Sequence, residues 1–374
     1  MSPDVRQLGD RVPFAEVCDG GVLHDWLAEP EVGREEIRSL IRAHGLVVFR
    51  DTSLTPREEL QVAQLAGYHA TEQATGGAGS LFGWQGKVAG LAALPDVPEV
   101  VCQGNVQLLD HHGIDGVQLT PLLTFENEGY HSDGMHNMQH SPPVLTSMRC
   151  VKAPLAGGET FFACSRLALS RLGPAMRALC RRITVHYVYD ESLGLPIMRG
   201  GIVRESRQPR EKDASPPAPP ARTCHPLVRT HPETGEEALY LSCANIDFMV
   251  APADEHDSPA LRLDTAASYE LVAALLGVVT RPPYVYAHRW REGDLALFDN
   301  RLTLHAPLVG SSCVGERLHH RVRLEGGAAA NRDLAEHAVR RDLAAAHTLS
   351  HHFKFDELTW NHISALRATP SSTR

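Results

Sequence analysis

Between residues 34 and 67 the spacing of apolar side chains changes period twice. In REEIRSLIRAH (34–44), Ile37, Leu40 and Ile41 recur at helical intervals, and the run stops at Gly45, a residue suited to the left-handed position after a helix. LVVFR (46–50) is a short continuous apolar run, as a buried strand requires. LTPREELQVAQLAG then offers Thr55 as N-cap, Pro56 at the first helical position and Glu58 three residues after the cap, ahead of an amphipathic run to Gly67. The order predicted is helix, strand, helix.

Beyond this the pattern is shorter in period. Residues 69–100 are rich in Gly, Ala and Thr and read as loop, with a strand from Glu99 onward. A helical pattern over 165–181 is interrupted at Gly173-Pro174, and ITVHYVY (183–189) alternates as a half-buried strand does. Residues 204–222 carry prolines 209, 216, 217, 219 and 220, a composition that cannot bury apolar surface and reads as a mobile, lid-like insertion. A hairpin turning at PETGEE, a helix over 263–276 and strands at 284–290, 294–300 and 319–326 follow. No internal repeat is present. Helices gathered early and short strands late predict an α+β fold whose core is mainly β, a sandwich or barrel of mostly antiparallel strands.

Composition narrows the class. The 374 residues are 43% hydrophobic and 22% charged, in the normal range for a globular enzyme with a sizeable core. No apolar run approaches the roughly 18 to 20 residues of a membrane span, and MSPDVRQLGDRVPF has no apolar leader segment, so a cytoplasmic, non-membrane protein is expected. A net charge of −9 disfavours a broad nucleic-acid surface, leaving a small molecule as the expected partner; a homo-oligomer stays open. The eight cysteines show no CxxC and read as reduced, mostly buried side chains.

The chemistry centres on GYHSDGMHNM (129–138). If this run is extended, a period of two places His131 and Asp133 on one face. Two histidines and one carboxylate on one side of an iron(II) ion leave three positions open, two for a chelating oxoacid and one for dioxygen. The missing histidine must come from far along the chain, and His305 in DNRLTLHAPL is the candidate. A dicarboxylate co-substrate also needs a cation at its far end, for which Arg317 and Arg321 offer planar bidentate forks, with Thr160 in AGGETFF as a hydroxyl donor. His136 and His140 stand at odd offsets from His131 and are read as facing away. Alone, an H-x-D pair is more often a hydrogen-bonded couple than a site. A non-catalytic metal-binding jelly roll and a zinc hydrolase are competing readings of the same triad.

Five segments taken in order carry a resemblance: AHGLVVFRDTSLTPREELQVAQLAG, YHSDG, SMRCVKAPLAGGETFFACSRLAL, HPLVRTHPETGEEALYLS, and WREGDLALFDNRLTLHAPL with GERLHHRVRL. They resemble the successive motifs of the taurine dioxygenase (TauD/TfdA-type) superfamily of iron(II)/2-oxoglutarate oxygenases, over residues 40–326. The resemblance implies a double-stranded β-helix, the cupin-like jelly roll, flanked by helices. It implies one oxygenase domain over 1–374, with a partly helical extension from 331 to 374. It implies His131, Asp133 and His305 as iron ligands, Arg317 and Thr160 on the C5 carboxylate of 2-oxoglutarate, and Arg321 near substrate or co-substrate. The reaction implied consumes dioxygen and 2-oxoglutarate and oxidises an unactivated C–H bond, by hydroxylation or by desaturation or cyclisation. Halogenation is disfavoured, because Asp133 stands where halogenases of this class carry a small residue. The Ala-, Arg- and Pro-rich composition adds natural-product biosynthesis as the expected setting. Glu128, Tyr130, His69, Trp84, Asn245 and Phe248 are candidates to face the substrate.

Overall fold

The computed structural model describes residues 3–9, 11–70, 91–119, 129–135, 142–189, 195–199, 202–206, 221–253, 260–282, 284–307 and 313–334. The early pattern folds as its spacing predicts. The helix Pro30–His44 begins a turn before 34, with Pro30 in its first turn, and ends on Gly45 at φ 73°. In Pro56–Leu65, the Thr55 hydroxyl accepts from the Glu58 amide while the Glu58 carboxylate accepts from the Thr55 amide at 2.8 Å, a complete capping box.

Leu46–Phe49 is buried on both faces because it is a central strand. A nine-stranded sheet runs in the order Val5–Gln7, Ala15–Val17, Leu46–Phe49, Leu295–Asp299, Leu145–Lys152, Leu318–Glu325, Val97–Gly104, Leu91–Leu94, with His69–Ala70 paired onto Leu318–Glu325. Ala15–Val17 pairs parallel to Leu46–Phe49, and the other pairings are antiparallel. Val47, Phe49, Leu295, Leu297, Leu318, Val322 and Leu324 pack on one face, against Leu23, Trp26, Ile37, Leu60 and Val62 of the helices. Leu46, Val48, Ala296, Phe298, Met148 and Cys150 pack on the other, against Phe162, Cys164 and Trp290. Those last residues belong to or border a three-stranded sheet of Val285–His288, Thr160–Cys164 and Thr303–Pro307. Two sheets thus face each other across an apolar layer.

A third body of core lies around a four-stranded sheet of Ala221–Pro226, Thr184–Tyr189, Ile246–Ala251 and Leu261–Leu263. The helix Thr265–Val279 covers it, capped by Asp264 accepting from the Ala267 amide. The predicted helix over 165–181 is two helices, Ser165–Arg171 and Pro174–Arg182, parted at Gly173-Pro174. The hairpin at PETGEE forms between Val228–Thr230 and Glu237–Leu239.

Two expectations change. The edges of the supposed 204–222 insertion are strands, Ile202–Ser206 and Ala221–Pro226, the latter paired along Thr184–Tyr189; residues 207–220 lie outside the described residues. The Gly-rich 69–100 stretch, read as loop, contains the strands His69–Ala70 and Leu91–Leu94, and the strand expected from Glu99 starts at Val97. Of the tail, 335–374 lies outside the described residues. Among the described residues, no helix is long and apolar enough to cross a membrane.

Candidate metal centre

Over its described part, 129–135, the run is not the strand that its spacing suggests. His131 makes isolated bridges to His305 and Ser242, and the chain turns over 133–135; residues 136–140, with His136 and His140, lie outside the described residues. The bridge itself brings the histidines together. The His131 amide donates to the His305 carbonyl at 3.0 Å and the His305 amide to the His131 carbonyl at 3.0 Å, leaving the rings 4.4 Å apart. The turn then swings Asp133 inward. Gly134 has φ 65°, and a Cβ there would lie 2.5 Å from Pro143 Cδ, so glycine is required on both counts.

One ligand atom from each of His131, Asp133 and His305 falls within 4.8 Å of the others. Each is prepared for ligation. His131 Nδ1 donates to the Gly129 carbonyl at 2.9 Å, which leaves Nε2 as the lone pair. His305 sits between Phe162 and Phe298, and burial, followed by the neighbouring His131, pushes its pKa down to about 3, so the ring is neutral. His305 Nδ1 is buried with no hydrogen-bond partner among the described residues. Burial alone would raise the Asp133 pKa, but Arg323, His305 and Arg321 hold it well below the usual carboxylate range. Three convergent donors, two imidazoles and one carboxylate, fit a divalent first-row metal with open positions.

The groups that aim Asp133 were not anticipated. Thr146 Oγ1 donates to Asp133 Oδ2 at 2.6 Å, Arg323 Nη2 to Oδ1 at 3.3 Å, and the Asp133 amide to Asn300 Oδ1 at 3.2 Å. Asn300 Nδ2 in turn donates to Thr146 Oγ1 at 2.9 Å. Arg323 was legible in principle, since strand parity puts residues 319, 321 and 323 on one face; Thr146 and Asn300 left no signal in the spacing.

Beside this cluster stand the other expected residues. Arg321 is buried and close enough to depress both Asp133 and His305. Arg317 immediately precedes the same strand, its pKa lowered by burial, and its Nε has no partner among the described residues. Gly157 and Gly158 take φ 73° and 76°, letting the backbone press on Arg317, where a Cβ at 158 would lie 3.5 Å from Nε. Thr160 is buried and accepts from Trp290 Nε1 at 3.0 Å, and Trp290 packs edge-on against the buried His319 at 4.6 Å.

The suggested substrate-facing residues do not assemble as a set. Phe248 stacks on His186 at 4.2 Å under the Arg262 guanidinium, and the Asn245 carbonyl caps Val188 from a left-handed backbone. His69 is an exposed strand residue, Tyr130 packs on the third core, and Glu128 and Trp84 lie outside the described residues. An open groove of about 890 Å³ bordered by Val5, Arg166 and Arg181 includes none of the triad, and its arginines 166 and 181 are paired to Glu236 and Glu237.

The family model described as taurine catabolism dioxygenase TauD, TfdA family matches residues 4–322. The chain is 28% identical over 185 residues to pentalenolactone F synthase of Streptomyces arenae, covering 48% of this chain and 55% of that one. It is 28% identical over 215 residues to the alpha-ketoglutarate-dependent 2,4-dichlorophenoxyacetate dioxygenase of Cupriavidus pinatubonensis, covering 57% and 63%. The chain thus spans less than two thirds of the length of these curated relatives. In structure it is similar to AAD-2 in complex with Mn(II) and N-oxalylglycine, at TM-score 0.59 and 21% identity over 87% of this chain and 98% of that one. A putative alpha-ketoglutarate-dependent taurine dioxygenase of Burkholderia xenovorans aligns at TM-score 0.56 and 23% identity over 87% and 90%.

Proposed function

The chain belongs to the TauD, TfdA family, and on that premise we propose that it is an iron(II)- and 2-oxoglutarate-dependent dioxygenase acting on an unactivated C–H bond of a small molecule. The observation that carries this reading is the convergence of His131, Asp133 and His305 within 4.8 Å. In the simplest outcome substrate, dioxygen and 2-oxoglutarate give hydroxylated product, succinate and carbon dioxide; desaturation or ring closure would use the same residues. The two facing sheets support the double-stranded β-helix form of the fold, with the ligand cluster beside the apolar layer between them.

His131, Asp133 and His305 would hold the metal, which when bound supplies the redox chemistry that couples co-substrate decarboxylation to substrate oxidation. The chain's own groups place the reactants. Arg317 is a half-buried cation whose Nε is buried and unused, which an anionic group would satisfy, so it is assigned to the C5 carboxylate. Thr160 Oγ1 accepts from Trp290 and keeps its own proton to donate to the same carboxylate. Arg321 is assigned to the metal end, where it can meet substrate or the near end of the co-substrate. Phe162 and Phe298 keep water from the His305 side. Similarity to pentalenolactone F synthase favours natural-product tailoring as the setting.

Anaerobic titration with iron(II) and 2-oxoglutarate tests the assignment, since the chelate gives a weak visible charge-transfer band. The band and substrate-dependent succinate release are expected in the parent and absent in Asp133→Ala and His305→Ala. Variants that keep both would overturn the ligand set. Metal binding without 2-oxoglutarate consumption on any substrate tried would favour a non-catalytic protein.

A further inference from the structure

The geometry points to a second metal site: we propose that Cys102, His112 and His320 bind a thiolate-preferring divalent ion, zinc before iron, on the side of the nine-stranded sheet that faces the helices. The strand Leu318–Glu325 alternates, so His319, Arg321 and Arg323 share one face and Leu318, His320, Val322 and Leu324 the other. His320 is therefore directed away from the proposed iron centre, into the layer where Leu318, Val322 and Leu324 meet the helices.

There it is not alone. Cys102 is its direct cross-strand partner on Val97–Gly104, and His112 ends the short helix Leu108–His112. The three ligand atoms lie within 4.8 Å of one another, with Cys102 and His320 buried and His112 half-buried. His112 Nε2 and His320 Nε2 face each other at 3.0 Å, with ring centroids 4.9 Å apart. His320 Nδ1 lies 2.8 Å from Glu59 Oε2, and Glu59 is 0% exposed with Oε1 lacking a partner among the described residues. A carboxylate on the far nitrogen of an imidazole is the usual outer support of a histidine ligand, since it fixes the tautomer and leaves the near nitrogen as a lone pair.

With Nδ1–H given to Glu59, His320 Nε2 has no proton to share with His112. A cation between the two rings and Cys102 would satisfy both nitrogens and the sulfur together. The thiolate sets the metal preference: a Cys and two His suit zinc, with a fourth position for water, whereas the His131 centre has no sulfur. Burial, then Glu59, pushes the metal-free Cys102 thiol up to about 12, so a bound ion must displace that proton. Arg149, paired with His320 on the other flank, works against a cation, but it is only partly buried. The competing arrangement is a neutral His112 donating its Nε2–H to His320 Nε2, which needs no metal.

Cobalt(II) separates the two, because a cysteine thiolate on cobalt gives an intense near-ultraviolet charge-transfer band that histidine and carboxylate ligands do not. The full-length parent is expected to take two equivalents, one of them giving this band. His131→Ala should lose one equivalent and keep the band, and Cys102→Ser should do the reverse. Should Cys102→Ser fail to fold, His112→Gln at the partly exposed helix end decides, with cobalt affinity at the thiolate site falling at least about tenfold. No thiolate band in the parent, or a band that survives Cys102→Ser, overturns the proposal. Neither outcome depends on turnover, so the second site can fail while the oxygenase reading stands.

Discussion

Asp133 shows how much of a candidate metal centre lies outside the three side chains that would hold the ion. Its two oxygens are engaged by Thr146 and Arg323, and Thr146 is oriented by Asn300, which follows the neighbouring strand Leu295–Asp299. Replacing Thr146 with valine keeps the shape and removes the donor to Oδ2, which should weaken iron(II) binding about 10- to 100-fold while turnover at saturating iron changes far less. An anaerobic binding isotherm checks this; unchanged affinity would leave Arg323 as the sole orienting group. At Arg317, loss of the proposed charged pair with the C5 carboxylate should cost about 1.5 to 3 kcal/mol. Arg317→Gln is then expected to raise the KM for 2-oxoglutarate by about 10- to 150-fold with the substrate KM little changed. If only the substrate KM rises, the clamp is Arg321. The H-x-D pair and the distal histidine could be nominated from the sequence because ligand chemistry restricts residue type, and the fold does bring the three together; the roles of the two arginines belong to the proposal. Thr146 and Asn300 could not be nominated, since a threonine and an asparagine are compatible with many roles until a contact selects one.

Among elements, legibility followed the strength of local signals. Helix Pro56–Leu65 was readable to its first residue because its cap is written in the sequence itself, and Thr55→Ala should cost about 1 kcal/mol of unfolding free energy. The cost should fall sharply in a Glu58→Ala background, because the two capping hydrogen bonds are reciprocal; additive losses measured by urea unfolding would show that they act separately. Strands of three or four residues, such as Val5–Gln7 and Leu91–Leu94, escaped notice because their pairing partners are distant and a short run carries little periodicity. The H-x-D segment was misread for a related reason. Its convergence comes from a two-residue bridge to His305 and a glycine turn, both long-range or conformational facts that an assumed strand only imitates.

Over the whole molecule, buried charge should make stability fall in acid. Asp299 closes the central strand Leu295–Asp299, where it is 1% exposed between Arg301, whose Nη2 donates to it at 2.6 Å, and His231 at 3.2 Å. Burial by itself would raise its pKa, but Arg301 and His231 hold it well below the usual carboxylate range. The folded state therefore binds this proton less readily than the unfolded chain, whose aspartates titrate near about 4. The resulting stabilisation is fully present above that pH and is lost progressively as the pH falls below it, because the unfolded chain takes up the proton first. Asp299→Asn should thus unfold at lower urea than the parent at pH 7, and the gap between the two midpoints should narrow steadily below about pH 4. A gap that stays constant with pH would mean that hydrogen-bond geometry, which asparagine also disturbs, rather than the charge of Asp299, is what the central strand depends on.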